Sequence, residues 1–255
     1  MHARDYPAPR DNQGLPDSPR PLPLNLLAFD TSTETLSVAV LRAGASAPLQ
    51  IEAQGGAKAS TTLIPAVHAL MAQAQLQWSE LDAIVFGRGP GSFTGLRTAC
   101  SVAQGLAFGS GVPVLGVDTL MAVAEDARER AGCERVVCVL DARMDEVYAA
   151  AYEFRAGRWH AASPITLGAP EHVAAGDGWA LAGNALVIHE ARLPQGHRRI
   201  ESLPHAAALL RVAPALLAAG LATDAAHAMP LYIRDKVAQT TDERAAVRAA
   251  RELPP

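Results

Sequence analysis

Apolar and polar positions divide the first part of the chain into short blocks. Residues 24–29 form a short apolar run, broken only by Asn25 and closed by Asp30, which predicts a buried strand. A polar turn, Thr31-Ser32-Thr33-Glu34-Thr35, follows it. Residues 36–41 then alternate as a returning strand, and residues 48–52 complete a meander. The Ser60-Thr61-Thr62 cluster marks a helix start, because short hydroxyl side chains satisfy the open N–H groups of a first turn. That helix reaches about Leu76, with Leu63, Val67, Leu70 and Met71 on one face. Pro65 sits in the first turn, where its missing N–H costs nothing. A strand over 81–86, a glycine-rich loop over 87–92 and a helix of small residues over 94–108 come next. A strand over 112–117 and a helix from Thr119 to about Arg130 follow.

The pattern then restarts. Residues 136–140 are apolar and end on Asp141, residues 142–146 are a polar turn, and residues 147–154 alternate as a returning strand. Each half therefore opens with strand, aspartate, turn and strand, a weak internal symmetry that predicts an α/β protein of two lobes, each a mixed sheet with packed helices. The lobes are expected over 24–118 and 119–237, flanked by a proline-rich disordered tail over 1–23 and a polar tail over 238–255. In the second lobe, residues 171–175, 204–219 and 223–228 read as helical and 179–183 as a short strand and turn.

Composition narrows the chemistry. Hydrophobic residues make up 49% of the 255 positions and aromatics only 5%, so alanine fills much of the apolar space. The net charge of −4 argues against a free-standing nucleic-acid binder, and the His197-Arg198-Arg199 run reads as a solvated loop. Cys100, Cys133 and Cys138 show no paired spacing and read as reduced, buried thiols of a cytoplasmic protein. The longest apolar stretch, residues 206–222, carries Arg211 and Pro214 and is too short to span a bilayer.

Two strand-aspartate-turn-strand units are how actin-like and sugar-kinase-like proteins present phosphate-binding hairpins. The first turn here reads Asp30-Thr31-Ser32-Thr33, with a serine where backbone approach to phosphate favours glycine. The second carries Asp141, Asp145 and Glu146 within six residues and no glycine. Extra side-chain bulk and negative charge both oppose a nucleotide, so Asp30, Thr31, Ser32, Thr33 and Asp141 are expected to form a vestigial nucleotide site, with weak ATP or ADP binding at most. The segment 87–97, Gly-Arg-Gly-Pro-Gly-Ser-Phe-Thr-Gly-Leu-Arg, follows a strand and opens a helix. It lacks the closing Gly-Lys-Ser/Thr of a P-loop and the downstream acid of a dinucleotide site, which leaves an anion-binding loop or a tight structural turn. No two of the eight histidines stand three or four apart, so no helical metal-ligand pair exists, and no GxSxG elbow appears.

The chain resembles the TsaB (YeaZ) family. The residues that carry the likeness are Leu27 to Thr33, the segment 87–97, Gly116-Val117-Asp118-Thr119-Leu120, Leu140 to Tyr148 and Pro230-Leu231-Tyr232-Ile233-Arg234. The resemblance spans about Leu24 to Val237. It implies the two-lobed actin-like fold and a part in forming N6-threonylcarbamoyladenosine at position 37 of tRNAs reading ANN codons. It also implies a non-catalytic role, as partner of the metal-bearing TsaD transferase, with the ATPase TsaE joining them and tRNA reached through the complex. Two helices from each partner would meet there, which places Leu63, Val67, Leu70, Met71, Ala99, Val102, Ala103 and Leu106 on the expected interface. A homodimer or a monomer is open for the isolated chain. The chain departs from relatives at Ser60, where they commonly carry a histidine, and the proline-rich start has no counterpart in the family pattern. An actin-like kinase or ATPase acting on a small molecule is the alternative. A metallopeptidase of the glycoprotease type is opposed by the histidine spacing.

Overall fold

The computed structural model describes residues 23–234. The proline-rich stretch before it and the polar stretch after it lie outside the described residues. The chain folds as β1 (Leu26–Asp30), β2 (Thr35–Leu41), β3 (Leu49–Gln54), α1 (Ala59–Ala74), β4 (Ala83–Gly89), α2 (Phe93–Ser110), β5 (Val114–Asp118) and α3 (Thr119–Ala131). The second half adds β6 (Arg135–Asp141), β7 (Val147–Arg155), β8 (Arg158–Ala161), β9 (Thr166–Gly168), β10 (Ala180–Ala182), α4 (Ala185–Ile188), β11 (Arg199–Ile200) and α5 (Ala206–Ala218).

The repeat read from the sequence is visible in the sheets. The first runs β3-β2-β1-β4-β5, with β1, β2 and β3 antiparallel and β4 and β5 added in parallel. The second runs β11-β10-β6-β7-β8 with the same pattern of directions, and β9 pairs with β7 beside it. Each half thus has an antiparallel meander extended by two parallel strands, the arrangement of a two-lobed actin-like α/β fold.

Two expected helices are single turns. Residues 171–175 are not a helix; a single tight turn, Pro170–His172, stands there. Pro170 fixes the first residue of that turn, and Val173 returns to an extended conformation, too short a stretch to nucleate a helix. Residues 223–228 likewise hold one turn, Ala225–His227, capped by Asp224.

The lobes share one apolar cluster between the sheets, and each has a further cluster on its outer face. Helices α3 and α5 pack between the sheets, so Leu26, Ala28 and Val85 of the first sheet join Val136, Cys138 and Ala182 of the second in one apolar cluster. The amide of Ala206 at the start of α5 donates to the Ser37 hydroxyl of β2 at 2.9 Å. Within this layer the Glu125 carboxylate is buried but fully paired, accepting from Arg128, from Arg211 and from the Trp159 indole at 2.9 Å. The three cysteines are free and buried.

Helices α1 and α2 cover the outer face of the first sheet, and here the sequence reading needs correction. Leu63, Val67, Leu70, Met71, Ala99 and Ala103 were expected on a partner surface, but all six are buried in the chain's own core with Leu27, Phe29, Ile84 and Phe86. Val102 and Leu106 are half-buried at its margin. The wide apolar stripe of α1 is used up because the helix lies over two strands at once, β2 and β3. Lys58 precedes α1 and reaches back to the Gln54 side chain at 3.0 Å. Among the described residues no helix is long and apolar enough to cross a membrane.

Candidate functional site

A cleft of about 300 Å³ opens between the lobes where the two hairpins face each other. Ser32, Thr33 and Glu34 of the first hairpin, Asp141, Ala142, Arg143 and Met144 of the second, the start of α2 and residues Leu231 to Arg234 line it. Of the five residues expected at a nucleotide site, Ser32, Thr33 and Asp141 therefore reach the cleft. Asp30 and Thr31 do not, and both are fully buried.

Asp30 is sealed by its own turn. Its Oδ1 accepts from the Ser32 amide at 2.8 Å and the Ser32 hydroxyl at 2.6 Å. Its Oδ2 has no hydrogen-bond partner and lies against Gly87, where an added Cβ would come within 1.7 Å of it. Burial pushes this carboxyl up to about 6, against the opposing pull of the Ser32 hydrogen bonds and a lesser one from Thr119. A carboxylate turned inward and capped by serine cannot reach a metal ion or its water in the cleft.

The glycine-rich segment is explained by what it seats. Strand β4 runs on to Gly89, and the Gly89–Pro90 peptide is cis. The Ser92 amide donates to the Ser32 carbonyl at 2.7 Å, and the Thr31 hydroxyl donates to the Gly95 carbonyl at 2.7 Å. A Cβ on Gly95 would stand 1.8 Å from the Thr31 carbonyl oxygen, and one on Gly91 would meet Ser32 at 2.6 Å. Gly87, Gly91 and Gly95, four residues apart, thus all give way to the first turn. The sequence left open an anion loop or a structural turn; these contacts make it a socket for the first hairpin. Ser92 caps α2 at the same place.

The second hairpin is tied on several sides. Arg143, Met144 and Asp145 all have positive φ, at 61°, 55° and 64°, a left-handed run that is unfavourable for residues with a Cβ. Glu34 from the first hairpin pairs with Arg143 across the cleft mouth, and Arg192 holds Asp145 and Glu171. The amide of Asp141 donates to Asn184 Oδ1 at 2.9 Å, and buried His189 brings Nε2 to 3.3 Å from Asp141 Oδ1. Sequence reasoning missed His189 and Asn184, which stand more than forty residues from Asp141 with no spacing to connect them. Among the described residues no group of three or more His, Cys, Asp or Glu side chains is placed to hold a metal ion.

The cleft therefore does not fit the nucleotide and metal that the fold family implies. Its inner acid is sealed, its mouth is crossed by an ion pair, and one wall is filled by the C-terminal segment.

Outside the cleft, the outer edge of α1 and α2 exposes apolar and small residues. Phe108 is 87% exposed and Ile64 44% exposed. Gly105 and Gly109 beside Phe108 face open space.

Comparison with known proteins agrees with this architecture. The family profile for TsaD, tRNA N6-adenosine threonylcarbamoyltransferase, matches residues 55–195. The chain is 32% identical over 234 residues to the tRNA threonylcarbamoyladenosine biosynthesis protein TsaB of Escherichia coli K12, covering 84% of this chain and 96% of that protein. It is 45% identical over 125 residues to the TsaB of Haemophilus influenzae, a match covering 49% of this chain and 52% of that one. Among solved structures, YeaZ from Pseudomonas aeruginosa is 40% identical with a TM-score of 0.76, covering 82% of this chain and 99% of that one. The duplicated sheets, the glycine socket beneath the first hairpin and a match running nearly the length of TsaB lead to one assignment: the chain belongs to the TsaB (YeaZ) family.

Proposed function

We propose that this chain is the TsaB subunit of a complex that makes N6-threonylcarbamoyladenosine at position 37 of tRNAs reading ANN codons. In this reading it pairs with the TsaD paralogue, which carries out the transfer, and TsaE joins the pair in the cytoplasm. The chain supplies surface rather than a reacting group and meets tRNA through the complex. One observation supports this reading: the apolar edge of α1 and α2, led by Phe108, lies exposed outside the chain's own core.

The partner face proposed here is built from Ile64, Phe108, the half-buried Val102 and Leu106, and the open backbone at Gly105 and Gly109. Leu63, Val67, Leu70, Met71, Ala99 and Ala103 support that face from beneath. Burying an exposed phenylalanine contributes about 2–3 kcal/mol, and the two glycines let a second helix approach closely. The actin-like kinase or ATPase reading is not favoured, because Asp30 faces Gly87 rather than the cleft.

Co-expression with TsaD from the same organism, followed by pull-down and mass spectrometry, tests the assignment. Recovery of TsaD with the wild-type chain, and its loss with a folded Phe108→Asp variant, is the expected result. Equal recovery by both chains removes this face from the interface, and no recovery by either removes the partnership.

A further inference from the structure

Residues 228–234 have no regular structure, yet they touch both lobes. At one end the Ala228 carbonyl accepts from Gln104 Nε2 at 2.9 Å and from Cys100 Sγ at 3.4 Å, both on α2. Next the Leu231 amide donates to the Arg88 carbonyl at 2.7 Å. The Leu231 carbonyl lies so close to Gly89 that a Cβ there would come within 2.5 Å of it. The Tyr232 ring packs on Phe93 at 5.3 Å, and its hydroxyl accepts from Arg97 Nε at 3.2 Å. The segment then crosses to the second hairpin. There Arg234 Nη2 donates to the Ala142 carbonyl at 3.1 Å, and Nη1 meets Glu146 Oε2 at 2.7 Å.

The two ends differ in character. Ala228 itself is buried beneath α2, although Met229 beside it is exposed, whereas Tyr232 is 44% exposed, Ile233 packs partly buried against the core between the sheets and Arg234 makes charged and polar contacts. The hairpin that Arg234 grips is the one with three consecutive left-handed residues, a turn that needs ties from outside to persist.

We propose that residues 228–234 form a strap that latches the second hairpin to α2 across the cleft, and that it releases from the Tyr232–Arg234 end. The buried end acts as the hinge-side anchor, and the polar end is the part that salt or a competing surface can lift. Release frees the Leu231 amide from Arg88, opens one wall of the cleft and removes a tie on the strained turn. The strap meets α2 at Phe93, Arg97, Cys100 and Gln104, short of Phe108, and stands whether or not that face binds a partner.

Amide hydrogen exchange on the full chain tests the latch, with wild type compared to Arg234→Ala and to Tyr232→Ala/Arg234→Ala. The expected result is exchange at least tenfold faster at Leu231, Ala142 and Glu146, with the β1 amides unchanged. Cys100 and Cys138 provide a second readout that needs no new label. Cys100 lies beneath the strap's buried end, and Cys138 lies in the layer between the sheets. Both thiols are held up in pKa by burial, so each reacts with a thiol reagent only when uncovered. In the double variant neither thiol should react faster, because Ala228 stays seated over Cys100; a faster Cys100 would overturn the assignment of that end as the anchor. Unchanged exchange at Leu231 and Glu146 would overturn the proposal. So would an equal acceleration at β1 or of both thiols, because that pattern describes general loosening rather than a latch.

Discussion

Replacing Asp30 with asparagine should remove a loss of stability that the wild type suffers as pH rises. The carboxyl is completely buried, and its pKa stands at about 6 instead of 3.8. The folded state therefore holds this proton more tightly than the unfolded state does. Below about pH 4 both states are protonated and the site costs nothing. Between pH 4 and pH 6 the unfolded chain ionises first, and above pH 6 the folded protein carries a buried charge. The rise corresponds to roughly 3 kcal/mol lost by the wild type between those limits. The asparagine of the Asp30→Asn variant cannot ionise, and its Oδ1 still accepts from Ser32. Its amide nitrogen would sit beside Gly87 in place of Oδ2, short of partners, at a cost of about 1–2 kcal/mol that does not vary with pH. The difference between the two proteins is thus the clean quantity, since all other titrating groups cancel in it. Urea unfolding followed by circular dichroism at pH 4, 5, 6 and 7.5 should show Asp30→Asn gaining roughly 3 kcal/mol on the wild type across the series. Parallel stability curves, or a gap that moves in the wild type's favour as pH rises, would refute the account of Asp30 as a sealed carboxyl.

Other perturbations separate core from surface. Leu70→Ala should cost about 2–5 kcal/mol in urea unfolding, because it leaves a cavity beneath α1. Val67→Glu should prevent folding outright, whereas Phe108→Asp should leave the circular dichroism spectrum and melting temperature unchanged. Gly95→Ala should yield little soluble protein, since the new Cβ would meet the Thr31 carbonyl at 1.8 Å with backbone on both sides. Millimolar Mg-ATP should raise the melting temperature by less than about 1 °C; a rise of several degrees would reveal a nucleotide site that the sealed hairpin disallows. The purified chain alone should form no threonylcarbamoyladenosine on tRNA supplied with the activated adenylate, as read by nucleoside mass spectrometry.

The parts of the fold that were legible are those where local pattern and tertiary environment agree. Strands β1 and β6 are apolar because both faces are covered, and each ends on an aspartate that begins its turn, so the duplication could be read directly. Strand β10 falls within the short strand read at 179–183, whereas β11 has two residues, too few for a period, and is a strand only because β10 offers it a parallel edge. The α1 stripe was legible as apolar but not as to what it faces. A row of Leu, Val and Met seeks any dry surface, and periodicity does not distinguish the chain's own sheet from a partner. Phe108, which does lie outside, breaks no pattern in the sequence. At the cleft, the glycines of the segment 87–97 announced a close approach without naming what approaches. Small residues accommodate a phosphate and a neighbouring turn equally well, and only the Thr31 and Ser32 contacts decide between them.

Lys58, holding Gln54 just ahead of α1, has a practical consequence. Twenty of the chain's 22 cationic side chains are arginine, and the other lysine, Lys236, lies outside the described residues. Guanidinium groups do not acylate under the mild conditions in which amines do. Among the described residues an activated ester or an acetyl donor therefore finds one amine side chain, at the foot of the helix that carries Ile64. Acetylation there would leave a mark readable from one peptide.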